Sequence, residues 1–176
     1  MLMNCSLPLA VSYYHTVINQ IPNMDQGLQL IFIEMIRKDC RSPSADKVHI
    51  VISFSCIKAK YIQTVISLLS ASTPSVRYEA ANTLVFLSNH SSALKAAISC
   101  YIELAVKESD NNVKLIVLNR IDSLRNDRSD QRATVDEFVM DILRVLTSPD
   151  LLVRNRALGI ALEMVHLLNP RLILFF

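Results

Sequence analysis

Glycine is almost missing from this sequence. Among 176 residues only Gly27 and Gly159 occur, and there is no tryptophan, where average usage near 7% would give about twelve glycines in a chain of this length. Tight hairpins and phosphate-cradling loops draw on the backbone freedom of glycine, so its scarcity argues against a hairpin-rich β fold and against any glycine-rich nucleotide loop. Charge of one sign is missing too. Eighteen Lys and Arg against sixteen Asp and Glu leave a formal charge of +2, too little for the long-range field that gathers nucleic acid. The densest basic stretch, Arg120 to Arg132, also holds Asp122, Asp127 and Asp130. It reads as a solvated helix end and loop, and no nucleic-acid partner is expected.

Cysteine is present but unpatterned. Cys5, Cys40, Cys56 and Cys100 form no CxxC and no partnered CxxH, which leaves idle thiols in a reducing compartment rather than a zinc knuckle or redox pair. The glycosylation sequons at Asn4 and Asn89 would matter only in a secreted chain, and the opening MLMNCSLPLAVSYYHT has no basic n-region. VHIVISFSCI is the longest apolar stretch near the middle, and the tail LILFF is shorter; neither can span a bilayer. His15, His49, His90 and His166 are scattered, with only His166 near a carboxylate, Glu163. Glu103 with Glu108, or Asp136 with Glu137, could be imagined as acid and base, but nothing in the sequence builds a pocket around them. GxGxxG, GxxxxGK[ST], HExxH and GxSxG do not occur. The expectation is a non-enzyme with no catalytic residue, metal ligand or cofactor.

What is abundant is apolar surface, 51% of residues, arranged in an echo. TPSVRYEAANTLVFLS, DNNVKLIVLNRIDSL and SPDLLVRNRALGIAL each place a valine and a basic residue just after a turn signal and ahead of an apolar helix. Val76-Arg77, Val113-Lys114 and Val153-Arg154 recur with a period of roughly 40 residues, the signature of helical-repeat solenoids. Proline in a first helical turn forfeits no hydrogen bond, and Ser or Asp can cap the orphan amides, so each echo marks a helix start. Between the echoes, helical apolar spacing runs over Ser92 to Lys107 and over Val135 to Thr147. The repeat unit is therefore two helices joined by a short polar turn. Apolar positions in the helix from Val113 cover more than one stripe, as expected where neighbouring repeats bury both faces.

MDQGLQLIFIEMIRK reads as a fourth inner helix with Leu28-Gln29 at the equivalent step, but that step lies farther ahead of Val76 than the period allows. The surplus falls on VHIVISFSCIKA, a β-branched, strand-like run in an otherwise helical chain, expected to be poorly ordered, or a strand or helix extension projecting from the solenoid. The opening segment, ending at Pro22, holds enough apolar sequence for one outer helix. The fold class expected is all-α, a HEAT/armadillo-type αα solenoid of about four helical pairs, forming one partial solenoid domain over residues 1–176 with no linker.

At this level the residues become specific. SVRYEAANTLVFLS, ALKAAISCYIELAVKESDNNVKLIVLNRIDSL and VMDILRVLTSPDLLVRNRALGIALEMV resemble the N-terminal trunk of the coatomer beta-subunit family, relatives of the clathrin-adaptor large chains. KESDNNVKLIVL carries most weight, because the generic repeat pattern does not demand it. The resemblance runs from about Tyr14 to Val165. It implies an interruption at Val48 to Ala59, since removing that run brings Leu28 and Val76 back into step with the other repeats, and a divergent tail over residues 166–176. Both point to a fragment of a longer subunit or to unspliced sequence at two places.

The resemblance further implies a non-enzymatic scaffold segment of the COPI vesicle coat. Its expected partners are the delta, gamma and zeta coatomer subunits and an Arf-family GTPase, and its expected place is the cytosolic face of Golgi membranes, reached through partners, in Golgi-to-ER and intra-Golgi transport. A clathrin-adaptor-type beta trunk or another armadillo-type binding module is the alternative, although the peptide-binding armadillo class relies on tryptophan ladders that this chain lacks. By periodicity, the charged positions on inner helices, Arg77, Glu79, Lys114, Arg120, Arg154 and Arg156, are the candidate protein interface. Their competing role is intrahelical ion pairing worth tenths of a kcal/mol each.

Overall fold

A computed structural model describes residues 7–41, 51–127 and 129–168, and every described element is helical. Nine α-helices occur among the described residues: α1 Leu7–Val17, α2 Gln26–Arg41, α3 Val51–Leu68, α4 Pro74–Leu87, α5 Ser91–Lys107, α6 Asn111–Asp127, α7 Arg132–Asp136, α8 Val139–Leu143 and α9 Leu151–Leu168. Short 3₁₀ turns add Ile21–Asn23, Ser129–Gln131 and Arg144–Thr147. The chain divides into two compact units, Met1–Asn89 and His90–Phe176.

The echo is a register of helix caps. Asp25, Thr73, Asp110 and Asp150 each stand three positions ahead of Leu28, Val76, Val113 and Val153. In all four, the first-turn amide one step further on, that of Gln29, Arg77, Lys114 or Arg154, donates to the cap residue's carbonyl at 3.0 to 3.2 Å. Three of the four caps also use their carboxylate on an orphan amide: Gly27 N to Asp25 at 2.9 Å, Asn112 N to Asp110 at 2.8 Å and Val153 N to Asp150 at 2.9 Å, the geometry that satisfies helix N-termini. At α4 the Thr73 hydroxyl makes no such bond and Pro74 takes the start. Ser75, expected there as a capping residue, instead accepts from Gln26 Nε2 at 2.7 Å.

In the first unit α2 packs on α1 and α4, and α3 packs on α4. The core combines Ile33, Met35, Ile36, Val65, Leu68, Val76, Ala80 and Leu84 with a knot of buried aromatics. Tyr14 meets Tyr61 edge-on at 5.1 Å between ring centroids and lies 6.2 Å from Phe32. The Tyr14 hydroxyl shares a 2.7 Å hydrogen bond with Thr64, and the Tyr61 hydroxyl donates to Asp39 at 2.9 Å. Burial raises the pKa of both phenols, and for Tyr61 the Asp39 charge adds to it, so both rings stay neutral and available as donors at physiological pH.

Residues Val51 to Ala59 form the first half of α3, continuous with the segment after Ala59. Of the three expectations for VHIVISFSCIKA the strand is excluded from Val51 onward, where the run is a helical extension of the segment after it, and Val48 to Ile50 lie outside the described residues. β-Branched residues cost only tenths of a kcal/mol each in a helix, which the rest of an 18-residue helix overrides.

In the second unit α5 and α6 pack together, and α9 packs against α6, α7 and α8. The core gathers Leu94, Ile98, Tyr101, Leu104, Val117, Leu118, Ile121, Val135, Ile142, Val153, Ile160 and Met164. Two expectations are corrected by this unit. Val135 to Thr147 is not one helix but α7, α8 and a 3₁₀ turn, and the break follows Asp136, where Phe138 N turns back to the Val135 carbonyl at 3.1 Å. That tightened turn carries Asp136 into a buried ion pair described below. Nor are all faces of α6 covered: Val117, Leu118, Ile121 and Leu124 are buried, but Ile116 is 53% exposed. The tail from residue 169 lies outside the described residues, as do the side chains of residues 166–168, His166 among them.

The two glycines differ. A Cβ on Gly27 would meet Asp25 Oδ2 at 3.1 Å, in the middle of the α2 cap, whereas one on Gly159 meets nothing within 4 Å. Gly159 sits inside α9, so Gly159→Ala is expected to stabilise the chain by about 0.5–1 kcal/mol through helix propensity and a stiffer unfolded chain. Urea unfolding followed by circular dichroism measures it; an unchanged or lower midpoint would mean that the open space beside Gly159 closes in solution.

Candidate functional site

At three of the four echoes the polar residue at the second position of the step has a common task. Gln29 Nε2 donates to the carbonyls of Ile21 at 3.2 Å and Pro22 at 3.0 Å, Arg77 Nε to Leu69 at 2.9 Å, and Arg154 to Ser148 at 2.9 Å and Pro149 at 2.7 Å. Leu69, Ser148 and Pro149 lie just past the end of the preceding helical segment, whereas Ile21 and Pro22 open the preceding 3₁₀ turn, and the Ile21 carbonyl also accepts from Met24 N at 3.1 Å. Helix C-termini leave carbonyls without partners and carry partial negative charge, so a donor delivered from the next helix's first turn closes one helix with the head of the following one. Sequence reasoning offered Arg77 and Arg154 a protein interface or an intrahelical ion pair; the acceptors are backbone carbonyls, which have no sequence signature. Arg154→Met removes both bonds and is expected to cost about 1–2 kcal/mol, read as a lowered urea midpoint with unchanged helicity. A loss under a few tenths would mean that solvent satisfies those carbonyls equally well.

Glu79, Arg120 and Arg156, three more of the candidate interface residues, are engaged within the chain as well. The Glu79 carboxylate accepts from Arg37, whose guanidinium also donates to the Glu79 carbonyl at 3.0 Å and to Thr83 Oγ1 at 2.7 Å. Arg156 on α9 reaches α6, donating to Asn119 Oδ1 at 2.7 Å and Asp122 Oδ2 at 2.6 Å. Arg120 is half-buried on α6 and also engaged. Arg77 and Glu79 belong to the first unit and the other four to the second.

Lys114 departs from this pattern. It occupies the same position on α6 as Gln29, Arg77 and Arg154 on their helices, and only 7% of it is exposed. Yet its side chain has no hydrogen bond or ion pair among the described residues. It lines a cavity of about 130 Å³ together with Ala105 and Val106 at the end of α5, and Val145, Thr147, Ser148 and Pro149 ahead of α9. The Ser148 hydroxyl, also buried, has no partner among the described residues. The second unit also contains a feature that sequence reasoning missed. Arg125, 2% exposed, donates to Asp136 at 2.7 Å and to the Glu163 carbonyl at 2.8 Å, tying α6, α7 and α9 together. Its only sequence signal was a charged residue at a core position of α6. Among the described residues no group of three His, Cys, Asp or Glu could hold a metal ion, and no helix is long and apolar enough to cross a membrane.

Capped helices in a recurring register, three of them sending a donor back to the preceding segment, define a helical-repeat protein. The chain matches the adaptin N-terminal region over residues 2–174 and belongs to that family, a HEAT/armadillo-like helical fold. It is 43% identical over 169 residues to coatomer subunit beta of Pongo abelii and of Sus scrofa, matches that cover 96% of this chain and 16% of each relative. With coatomer subunit beta of Dictyostelium discoideum it shares 38% identity over 176 residues, the whole of this chain and 18% of that relative. The chain thus spans less than a fifth of the length of these relatives.

Proposed function

We propose that this chain acts as a non-enzymatic scaffold segment of a COPI-type vesicle coat, part of the trunk of a coatomer beta subunit. The observation that carries the reading is the 43% identity to coatomer subunit beta over 96% of the chain. The helical architecture supports it, since stacked helical pairs present extended surface for folded partners. In this reading the partners are the delta, gamma and zeta coatomer subunits, and an Arf-family GTPase brings the coat to the cytosolic face of Golgi membranes for Golgi-to-ER and intra-Golgi transport. The membrane is reached through partners. Residues 1–176 form one stretch of a longer solenoid, with Val48 to Ala59 as an insertion relative to the family.

The test is affinity capture of the endogenous product from a cell carrying a tag at its own locus, followed by mass spectrometry of everything retained. Recovery of the gamma, delta and zeta coatomer subunits in near-equal amounts supports the assignment. Capture of clathrin and its adaptor subunits in their place would move the chain to the clathrin-adaptor branch, and a product that brings down neither set would refute the coat reading.

A further inference from the structure

We infer that the Lys114 recess is an anchoring site for a carboxylate side chain, aspartate or glutamate, presented by a partner protein. The inference rests on the scaffold reading above and deepens it by naming the chemistry of one contact. Four helices share one register. At three of them the second residue of the step sends a donor back to the preceding segment, and at the fourth the donor is left over. Lys114 is 7% exposed and has no acceptor among the described residues, yet its Nζ is not among the fully enclosed unpaired polar atoms, so the amine keeps access to the open side of the recess.

The carboxylates that head α6 and α9 are already committed. Asp110 accepts from Asn112 N at 2.8 Å, and Asp150 accepts from Val153 N at 2.9 Å and from Asn111 Nδ2 at 3.1 Å. Arg154, the other cation at this corner, is held by the Ser148 and Pro149 carbonyls. A single cationic donor therefore faces the cavity. At about 130 Å³ the space exceeds the roughly 30 Å³ of one water and admits a carboxylate with its methylene stem. Its walls come from segments that end α5 and precede α9. A single negative charge matched one-to-one by the ammonium fits there; a dianionic phosphate, which favours guanidinium forks and amide nests, does not.

The site is tested on the captured native assembly with a water-soluble carbodiimide, which activates a carboxylate and condenses it with an amine in direct contact, releasing the urea. The expected result is an amide between Lys114 Nζ and an Asp or Glu of another polypeptide in the captured coat. Lys114→Met, which keeps the stem and removes the charge, is expected to lower retention of that same polypeptide about tenfold, the scale of one charge-assisted hydrogen bond, with helicity by circular dichroism unchanged. Titration of the purified chain with acetate and, separately, with inorganic phosphate, followed at the ¹⁵N-labelled Lys114 ammonium, supplies an arm that needs no partner. Saturable binding of acetate supports the site; binding of phosphate alone, or no saturable response to either, overturns it. If coat subunits are captured but Lys114 is linked only within its own chain, the anchor fails while the coat assignment stands. If no coat subunits are captured, it is the coat assignment that fails.

Discussion

Replacing Asp136 with alanine is expected to destabilise the chain by about 3–5 kcal/mol, the scale measured when one partner of a buried ion pair is removed. The reason lies in what it abandons. Arg125 is 2% exposed and Asp136 3% exposed, and their 2.7 Å contact is the only close carboxylate contact to that guanidinium among the described residues, because the Glu163 carboxylate stands at 3.5 Å on a side chain that is 59% exposed. Without Asp136, Arg125 keeps the Glu163 carbonyl at 2.8 Å and the longer 3.5 Å contact to that residue's exposed carboxylate, which leaves a desolvated charge poorly neutralised.

Equilibrium urea unfolding of wild type and Asp136→Ala, at matched concentration, gives the number. The double variant Arg125→Met with Asp136→Ala should recover much of the loss, since a buried pair replaced by apolar groups of similar volume is often close to neutral. A loss below about 1 kcal/mol for the single variant would show that Glu163 swings in to replace Asp136, and that the pair does not hold α6, α7 and α9 together.

That pair also shows where sequence reading stops. Helix starts were legible because caps follow a local rule: an Asp, then an apolar step three positions on, at Asp110 and Asp150 as at Asp25. The end of α7 was not, because periodicity in Val135, Val139, Ile142 and Leu146 continues smoothly through the break, and the turn at Glu137 and Phe138 accompanies an ion pair with Arg125, on another helix. Val51 to Ala59 stayed ambiguous between strand and helix for the opposite reason: β propensity is a weak local preference, and the helical sequence after Ala59 dominates it. Lys114 was singled out from the sequence, but only as one of six charges. Its distinction depends on a cavity walled by Ala105 and Val106 behind it and by Val145 to Pro149 far ahead of it in the chain.

The second large effect concerns solution behaviour. α9 buries Val153, Ala157, Ile160, Ala161 and Met164 on one face and leaves Leu151, Leu158, Leu162 and Val165 exposed on another, by 60%, 42%, 60% and 38%. Those exposed positions follow one another at steps of seven, four and three, so they form a single stripe along the helix. In the first unit Leu9, Tyr13, Leu28 and Ile31 are also about half or more exposed. An apolar stripe of this length in water drives association, at roughly 25 cal/mol per Å² buried. The purified 176-residue chain is therefore expected to self-associate at micromolar concentration. Leu158→Glu with Leu162→Glu should raise the concentration for association at least tenfold, because two carboxylates in the middle of the stripe must be desolvated for it to be covered. Both side chains already face solvent, so circular dichroism and the unfolding midpoint should change little. Sedimentation velocity across a concentration series decides the matter: a wild-type chain that stays monodisperse and monomeric over the same range would mean that the stripe is masked in solution, and an unchanged association in the double variant would place the contact elsewhere on the chain.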